Sequence, residues 1–417
     1  MEVFGEGATV GFLQRGNNNL NYNNHRNVNA NENLDNGRGM TLAGFRASVD
    51  SLKTYRNIFP RVCDYDNLFL AFLKAKQRKA KKNYVIEFEN GLENELYSLQ
   101  WELLTYTYKP KPLTVFTVRD PKTRKISASN FRDRVVHHAV CNIIEPIFEK
   151  RFICDTFANR KGKGTSAVMK RISYFLHKVI GNGRMTSRER ESERQISNPI
   201  AGFVLKADIR KYFETVNQEV LLSILRKRIK DEDLMRLIGL ILANHKTQTP
   251  GKGMPLGNLT SQFFANVYLA EFDYFVKHEL KAKYYIRYVD DFVILHRSEE
   301  QLADWQGKIN RFLAEKLKIE LHPDKTKIIP LHNSVPLVGF RVFYACKLLK
   351  KSNLRKMQRR LFGFRTRFTR GKVTSSHILL SMAGWEGYAK MGNTYHLRQQ
   401  VRRNVRHILG QTPQQPL

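Results

Sequence analysis

The chain has few acidic residues for its size: 38 Asp and Glu stand against 71 Lys and Arg among 417 residues, which leaves a formal net charge of +33. This deficit argues against a cationic partner and predicts a polyanion such as nucleic acid. Long apolar runs are also missing, because no stretch approaches the ~18 residues of a spanning helix, and the first residues lack a basic-then-apolar signal. We therefore expect no contact with a membrane.

Cysteine is scarce and widely scattered. The four cysteines, Cys63, Cys141, Cys154 and Cys346, form no Cys-x-x-Cys pair. Their spacing suggests neither a zinc site nor a disulfide framework. A chain of this kind suits the reducing conditions of a cytoplasm.

Apolar side chains are rare near the N-terminus, where eleven of the twenty positions between 17 and 36 are asparagine. Such a segment buries too little to offset the entropy of ordering, so residues 1–49 are predicted to form a disordered tail. An N-terminal helical extension is predicted over 50–110, where apolar residues recur at helical spacing. The composition of 181–199 predicts a surface insertion.

Strand and helix patterns are mixed between 111 and 345. Residues 215–244 are predicted to be helical, and another helix is predicted to follow the Gly/Pro loop at 251–257. In that later helix five residues fall on one face: Leu259, Phe263, Val267, Ala270 and Tyr274. The last 71 residues are helical in pattern and carry 16 Lys and Arg against one acid, Glu386. Residues 346–417 are therefore predicted to form a basic helical unit that contacts a nucleic-acid backbone.

Two adjacent aspartates, Asp290 and Asp291, lie between two strand-like segments and are predicted to occupy a hairpin turn. Like charges there repel unless a cation bridges them. Asp208 ends an apolar strand, and pairing of that strand with the hairpin would collect three carboxylates able to hold two divalent ions. Tight turns also favour aspartate for local reasons, so the pair by itself leaves a purely structural interpretation open.

Five motifs in a fixed order resemble those of a reverse transcriptase. The aspartate pair lies in Tyr-Val-Asp-Asp at 288–291, which matches the most specific signature of that superfamily. The other four motifs are Ala-Asp-Ile-Arg-Lys-Tyr-Phe at 207–213, Gly-Asn-Leu-Thr-Ser-Gln at 257–262, Leu-His-Pro-Asp-Lys-Thr at 321–326 and Val-Gly-Phe at 338–340.

This resemblance covers residues 112–347 and implies an α+β right-hand polymerase. The fingers and a palm, built from an antiparallel sheet plus helices, would occupy 111–345, and the basic segment 346–417 would be a helical thumb. The reaction it implies is RNA-directed DNA synthesis by two-metal nucleotidyl transfer.

The resemblance also implies roles for single residues of the reaction centre. Asp208, Asp290 and Asp291 are expected to ligate two Mg²⁺ ions, with the backbone carbonyl of Ile209 completing one coordination shell. Lys325 is expected to protonate the pyrophosphate leaving group as a general acid.

Other residues are expected to bind the substrate. Phe213 would lie beneath the incoming sugar and exclude a 2′-hydroxyl, which makes dNTP the substrate; a core aromatic residue is the alternative. Lys122, Lys125 and Arg132 resemble the fingers cations that cradle the triphosphate, a role suited to their donors. Each of these three could instead belong to a solvated basic face.

The helix start at 256–262 indicates the subtype. Leu256, Gly257 and Gln262 are expected to contact the nucleotide, yet Leu256 and Gln262 depart from the Gln-Gly-x-x-x-Ser-Pro of retroviral and group II intron enzymes. They resemble reverse transcriptases of diversity-generating retroelements, which copy a template-repeat RNA into cDNA with errors at adenines. The cDNA then replaces a variable repeat, a process called mutagenic retrohoming.

This subtype implies particular partners: template RNA, a cDNA or DNA primer, dNTPs and a small basic pentameric accessory protein. It also implies the cytoplasm of a bacterial, phage or archaeal host. The Asn-rich segment before about residue 40 resembles translated template repeat, although an ordinary Asn-rich tail remains an alternative. Two rival functions also remain: a group II intron-type or other bacterial reverse transcriptase of ordinary fidelity, and a non-catalytic RNA-binding module.

Overall fold

The structure, a computed structural model, describes residues 53–119, 123–181, 201–245, 247 and 249–410. The predicted tail, nearly all of the predicted insertion and Lys122 lie outside the described residues. Within the described part of the chain, no helix combines the length and the apolar character needed to cross a membrane.

Among the described residues before the first strand there are four helices: α1 (Phe59–Cys63), α2 (Tyr65–Lys76), α3 (Asn83–Asn90) and α4 (Leu92–Leu104). Their apolar faces carry fully buried residues such as Leu68, Leu96 and Leu99, which join the larger hydrophobic core. The helical periodicity in the sequence is therefore confirmed for this segment.

A two-stranded antiparallel hairpin follows, formed by β1 (Thr114–Val118) and β2 (Arg124–Ala128). It leads into α5 (Phe131–Glu149). The side chain of Asn130 accepts a hydrogen bond from the backbone nitrogen of Arg132 at 3.1 Å and caps the start of this helix.

The central part of the chain forms a five-stranded sheet covered by helices. Its elements are, in chain order, β3 (Thr156–Phe157), α6 (Thr165–Ile180), β4 (Phe203–Asp208), α7 (Tyr212–Thr215), α8 (Gln218–Arg226), α9 (Glu232–Ala243), α10 (Leu259–Tyr274), β5 (Tyr284–Tyr288), β6 (Asp291–His296), α11 (Glu299–Lys316) and β7 (Lys327–Pro330). The strand order is β3-β5-β6-β4-β7. All neighbours are antiparallel except β3 and β5, which run parallel.

The helical character predicted for 215–244 is confirmed, and the structure divides the segment into α8 and α9 with a break between them. Asp231 causes the second start: its carboxylate accepts from the backbone nitrogen of Leu234 at 3.0 Å and caps α9. The other carboxylate oxygen accepts from the backbone nitrogens of Ile58 and Phe59 at 2.7 and 2.9 Å. These bonds to α1 cannot be read from the local sequence.

The one-sided apolar face predicted for α10 is wrong. Phe264, Asn266 and Tyr268 lie off that face and are buried as well, whereas Tyr274 is 56% exposed. The reason is that α10 packs against both α5 and α8, so most of its circumference faces protein.

The C-terminal part begins with a three-stranded antiparallel sheet of β8 (Val335–Leu337), β9 (Phe340–Val342) and β10 (Lys347–Leu349). Three helices follow: α12 (Lys351–Thr369), α13 (Ser375–Ala389) and α14 (Tyr395–Leu409). They share a core of their own that includes Leu361, Phe364 and Ile378. Helices and antiparallel sheets thus confirm the predicted α+β class.

Candidate active site

The three predicted aspartates meet at one edge of the five-stranded sheet. Asp208 ends β4 and is paired across the ladder with Asp291, which begins β6. Asp290 lies in the tight turn between β5 and β6, and its backbone carbonyl accepts from the nitrogen of Ile209 at 3.3 Å. The sheet therefore brings Asp208 together with two aspartates that lie 82 and 83 positions later in the sequence.

Negative charge is crowded at this edge. Burial, followed by the charges of Asp208 and Asp291, raises the pKa of Asp290 to about 6. Two ammonium groups balance the other carboxylates: Lys206 Nζ lies 2.9 Å from Asp291 Oδ1, and Lys325 Nζ pairs with Asp208 Oδ2. The site therefore requires positive charge, and here lysines supply it.

The donor set suits the predicted ions in its chemistry, because carboxylate and carbonyl oxygens are the hard ligands that Mg²⁺ prefers. Within the described ranges, however, no three His, Cys, Asp or Glu side chains form a ready-made metal cluster. Lys206 and Lys325 form ion pairs with Asp291 and Asp208, so a metal ion at this edge would compete with both ammonium groups for these carboxylates.

Lys325 reaches the site because its motif docks against the end of β4. Leu321 forms a β-bridge with Ile209, and the backbone nitrogen of His322 donates to the carbonyl of Asp208 at 2.7 Å. A short 3-10 helix over Pro323–Lys325 then turns the lysine toward the carboxylate. The structure thus places Lys325 beside Asp208, and its role as a general acid stays a prediction.

The loop with Leu256 and Gly257 lies against the β1–β2 hairpin. The backbone nitrogen of Ser127 donates to the carbonyl of Leu256 at 3.0 Å. Gly257 has φ +116°, and a Cβ there would lie 2.8 Å from Ile126 Cγ2, so this approach requires glycine. The half-buried side chain of Leu256 is thus held at a fixed position relative to the strand that carries Lys125.

Phe213 lies next to the same loop. Its carbonyl accepts from the backbone nitrogen of Met254 at 2.7 Å, and its ring packs edge-on against Tyr212 with centroids 5.5 Å apart. The ring is only partly buried. Gln262, on the first turn of α10, is exposed.

The cations predicted for the fingers differ in their surroundings. Lys125 is exposed on β2, whereas the guanidinium of Arg132 forms an ion pair with Glu102 and lies 5.9 Å from the Tyr108 ring centroid. The structure therefore brings Arg132 to α4 rather than to the aspartates. Lys122 lies outside the described residues.

Sequence reasoning missed two cations of the site, Arg124 and Lys206. The pKa of Asp290 is raised by burial and by its acidic neighbours, and the charge of Arg124 opposes this rise. Arg124 stood in the basic fingers segment and could have been chosen there. Lys206 lies two positions before Asp208, and the alternation of a strand places both side chains on one face.

The Val-Gly-Phe motif joins the palm side of the structure to the C-terminal helices. The hydroxyl of Tyr388, on α13, donates to the carbonyl of Val338 at 3.0 Å. The side-chain nitrogen of Asn353, on α12, donates to the carbonyl of Gly339 at 3.0 Å. The turn between β8 and β9 is therefore tied to both helices.

Comparisons with known proteins find sequence relatives and solved structures to which this chain is similar. Protein YkfC of Escherichia coli is 24% identical over 287 residues, which cover 60% of this chain and 71% of YkfC. Group II intron-encoded protein LtrA of Lactococcus lactis is 22% identical over 371 residues, 70% of this chain and 57% of LtrA. The solved telomerase of Candida tropicalis has a TM-score of 0.42 at 13% identity, covering 60% of this chain and 58% of that one.

The profile of the family described as reverse transcriptase (RNA-dependent DNA polymerase) matches residues 110–342, more than half of the chain. The matched range contains the hairpin β1–β2, the whole five-stranded sheet and all three aspartates. The predicted right-hand polymerase fold is thereby confirmed. Since one continuous match spans this architecture together with its carboxylate edge, the chain belongs to the reverse transcriptase family, the RNA-directed DNA polymerases.

Proposed function

We propose that this chain is the reverse transcriptase of a diversity-generating retroelement, which copies a template-repeat RNA into cDNA with errors concentrated at template adenines. The observation that carries the proposal is the convergence of Asp208, Asp290 and Asp291 at one sheet edge. The subtype rests on Leu256, whose side chain offers no hydrogen bond beside the hairpin. The basic pentameric accessory protein and retrohoming belong to the same proposal.

A few residues have distinct roles in the proposed reaction centre. Two Mg²⁺ ions, held by the three aspartates and the carbonyl of Ile209, would supply charge stabilisation for the primer 3′-oxygen and the leaving pyrophosphate. Lys325, once it leaves Asp208, is within the site and donates a proton to the pyrophosphate. Lys206 holds Asp291 in place before loading and shields its charge.

Nucleotide selection involves the surface between the hairpin and the loop. Phe213 excludes a 2′-hydroxyl, and Arg124 and Lys125 on β2, with Lys122 before them, attract the triphosphate. Arg132 contributes only if it leaves Glu102. Gly257 allows the loop to approach the hairpin, which fixes where Leu256 meets the nascent pair.

Leu256→Gln is expected to lower misincorporation opposite template adenine about tenfold, the effect of regaining ~1.4 kcal/mol of discrimination. A glutamine can hydrogen-bond around a correct pair, and a mispair leaves that group unsatisfied at a cost of ~1–3 kcal/mol. Adenine pairs, which are held by two hydrogen bonds, should gain most. Sequencing of cDNA made on one RNA template by both enzymes measures the effect.

The control for this experiment is Leu240→Gln, a change of the same kind at a 39% exposed position on α9. It should leave the error spectrum unchanged. An adenine error rate that Leu256→Gln does not alter would favour the alternative, a group II intron-type enzyme of ordinary fidelity, or place infidelity elsewhere, at Gln262 first.

Binding of an RNA–DNA duplex is expected to weaken steeply with salt, because each neutralised phosphate releases condensed counterions. Replacing the exposed Arg359 and Arg360 on α12 by glutamine should lower the salt slope by about one per arginine. Lys308→Gln, on α11, is the matched control and should leave the slope unchanged. Fluorescence anisotropy across salt concentrations measures both, and equal slopes for all variants would contradict a thumb contact.

A further inference from the structure

Arg287 is a completely buried arginine next to the catalytic turn. It lies on β5, and its guanidinium makes a two-pronged ion pair with Asp273 of α10, with Nε 2.7 Å from Oδ1. The remaining nitrogen, Nη1, donates to Asn266 Oδ1 at 3.2 Å and to the backbone carbonyl of Val289 at 2.9 Å. One side chain thus connects the core helix to the turn that carries Asp290.

Val289 has a backbone conformation that valine rarely adopts. Its φ is +57°, in the left-handed region where a β-branched side chain is strained and glycine is free. Both of its backbone polar groups are held: the carbonyl by Arg287, and the nitrogen by the carbonyl of Phe157 at 3.4 Å. A strained residue persists only where its surroundings over-determine it.

We propose that Arg287 is a positioning residue of the polymerase, which holds the Val289 carbonyl and thereby fixes how Asp290 and Asp291 present their carboxylates. The inference rests on the proposed function, because that function gives these aspartates their chemistry. A planar guanidinium can donate to all four acceptors at once: both Asp273 oxygens, Asn266 Oδ1 and the Val289 carbonyl. A lysine keeps the positive charge but cannot make these bonds in the same geometry.

A purely structural role for Arg287 makes a different prediction. Buried ion pairs are weak sources of stability, and their loss acts through the unpaired charge that remains. Asp273 also accepts hydrogen bonds from the hydroxyls of Tyr285 and Thr156, both at 2.6 Å. Neither hydroxyl is hydrogen-bonded to the turn. Removing either one should therefore weaken the Asp273 network without changing how the aspartates are positioned.

The test compares Arg287→Lys with Tyr285→Phe and Thr156→Val in full-length enzyme. Arg287→Lys should lower kcat about 10²-fold, the scale of a misplacement near 1 Å, with KM for dNTP and Kd for primer–template unchanged. The two hydroxyl variants should lower the melting temperature while kcat stays close to that of the parent. An unchanged kcat in Arg287→Lys, or an equal loss in Tyr285→Phe, overturns the proposal.

A second arm uses the strain itself. Val289→Gly removes the steric cost of the left-handed conformation, so Arg287→Lys should cost much less kcat in that background. If the fold-loss of kcat in the double variant equals the product of the losses in the two single variants, Arg287 does not act through Val289. Should Arg287→Lys fail to fold, Arg287→Gln combined with Asp273→Asn leaves no unpaired buried charge and must show the same loss of kcat.

Failure of this inference can be told from failure of the proposed function. Full extension by Asp290→Asn would overturn the polymerase site whatever Arg287 does. An inactive Asp290→Asn beside a fully active, folded Arg287→Lys overturns only the positioning role.

Discussion

Asp290→Asn is expected to abolish primer extension while leaving RNA–DNA binding intact. Asparagine keeps the size of the side chain but removes the negative charge, and two divalent ions cannot be held without it. Most of the binding free energy comes instead from phosphate contacts with basic residues, which this change does not touch. Single-turnover extension of a labelled primer and fluorescence anisotropy of the same duplex measure the two quantities.

Asp304→Asn provides the control, since Asp304 lies on α11 and forms a surface ion pair with Lys308 at 2.8 Å. It should extend primers like the parent enzyme. Asp291→Asn and Asp208→Asn should match Asp290→Asn, because each removes a ligand from the same edge. Extension at the parental rate by any of the three would refute the two-metal mechanism.

The aspartate edge could be predicted because its pattern is local. An apolar strand ending in Asp208 and two strand-like runs flanking Asp290 and Asp291 require only that the strands pair. The antiparallel register of β4 and β6 then places Asp208 beside Asp291. Periodicity likewise sufficed to predict helices within 50–110, among them α4 (Leu92–Leu104).

The partners of the charged side chains could not be predicted, because they depend on packing between distant segments. Arg132 lies in a basic segment, yet its ion pair with Glu102 requires that α4 pack beside the start of α5. Arg287 precedes the catalytic motif by one residue, but its partner, Asp273, lies on another element. The sequence shows where charged residues lie along the chain, but it does not show which of them form ion pairs.

The state of the carboxylate edge also follows from packing. Lys206 and Lys325 approach it from different elements. Lys206 lies on β4, and Lys325 lies on the 3-10 helix that follows Leu321, the residue bridged to Ile209. Carboxylates crowded without a cation repel one another, and the two ammonium groups relieve this repulsion. The two ion pairs therefore stabilise this arrangement of the aspartates, and the proposed Mg²⁺ ions would compete with the two lysines for the same carboxylates.

Gly339→Ala is expected to break the contacts of the β8–β9 turn with the C-terminal helices α12 and α13. Gly339 has φ +86°, and an added Cβ would overlap the Tyr388 hydroxyl and lie 2.7 Å from Asn353 Nδ2. Those two atoms bind the turn, so the substitution breaks both anchoring hydrogen bonds besides straining the backbone. A left-handed non-glycine residue alone costs ~1–3 kcal/mol, and each lost bond adds ~1 kcal/mol.

The Val-Gly-Phe sequence at this turn resembles the primer grip of reverse transcriptases. We therefore expect its displacement to shorten the cDNA made in one binding event more than it weakens duplex binding. Urea unfolding gives the stability loss, and extension in the presence of a trap duplex gives the product length. Gly384→Ala, on α13 where an added Cβ meets no atom within 4 Å, should instead raise stability by ~1 kcal/mol and keep product length. Equal product lengths from both variants would mean that the turn does not couple the thumb to the primer.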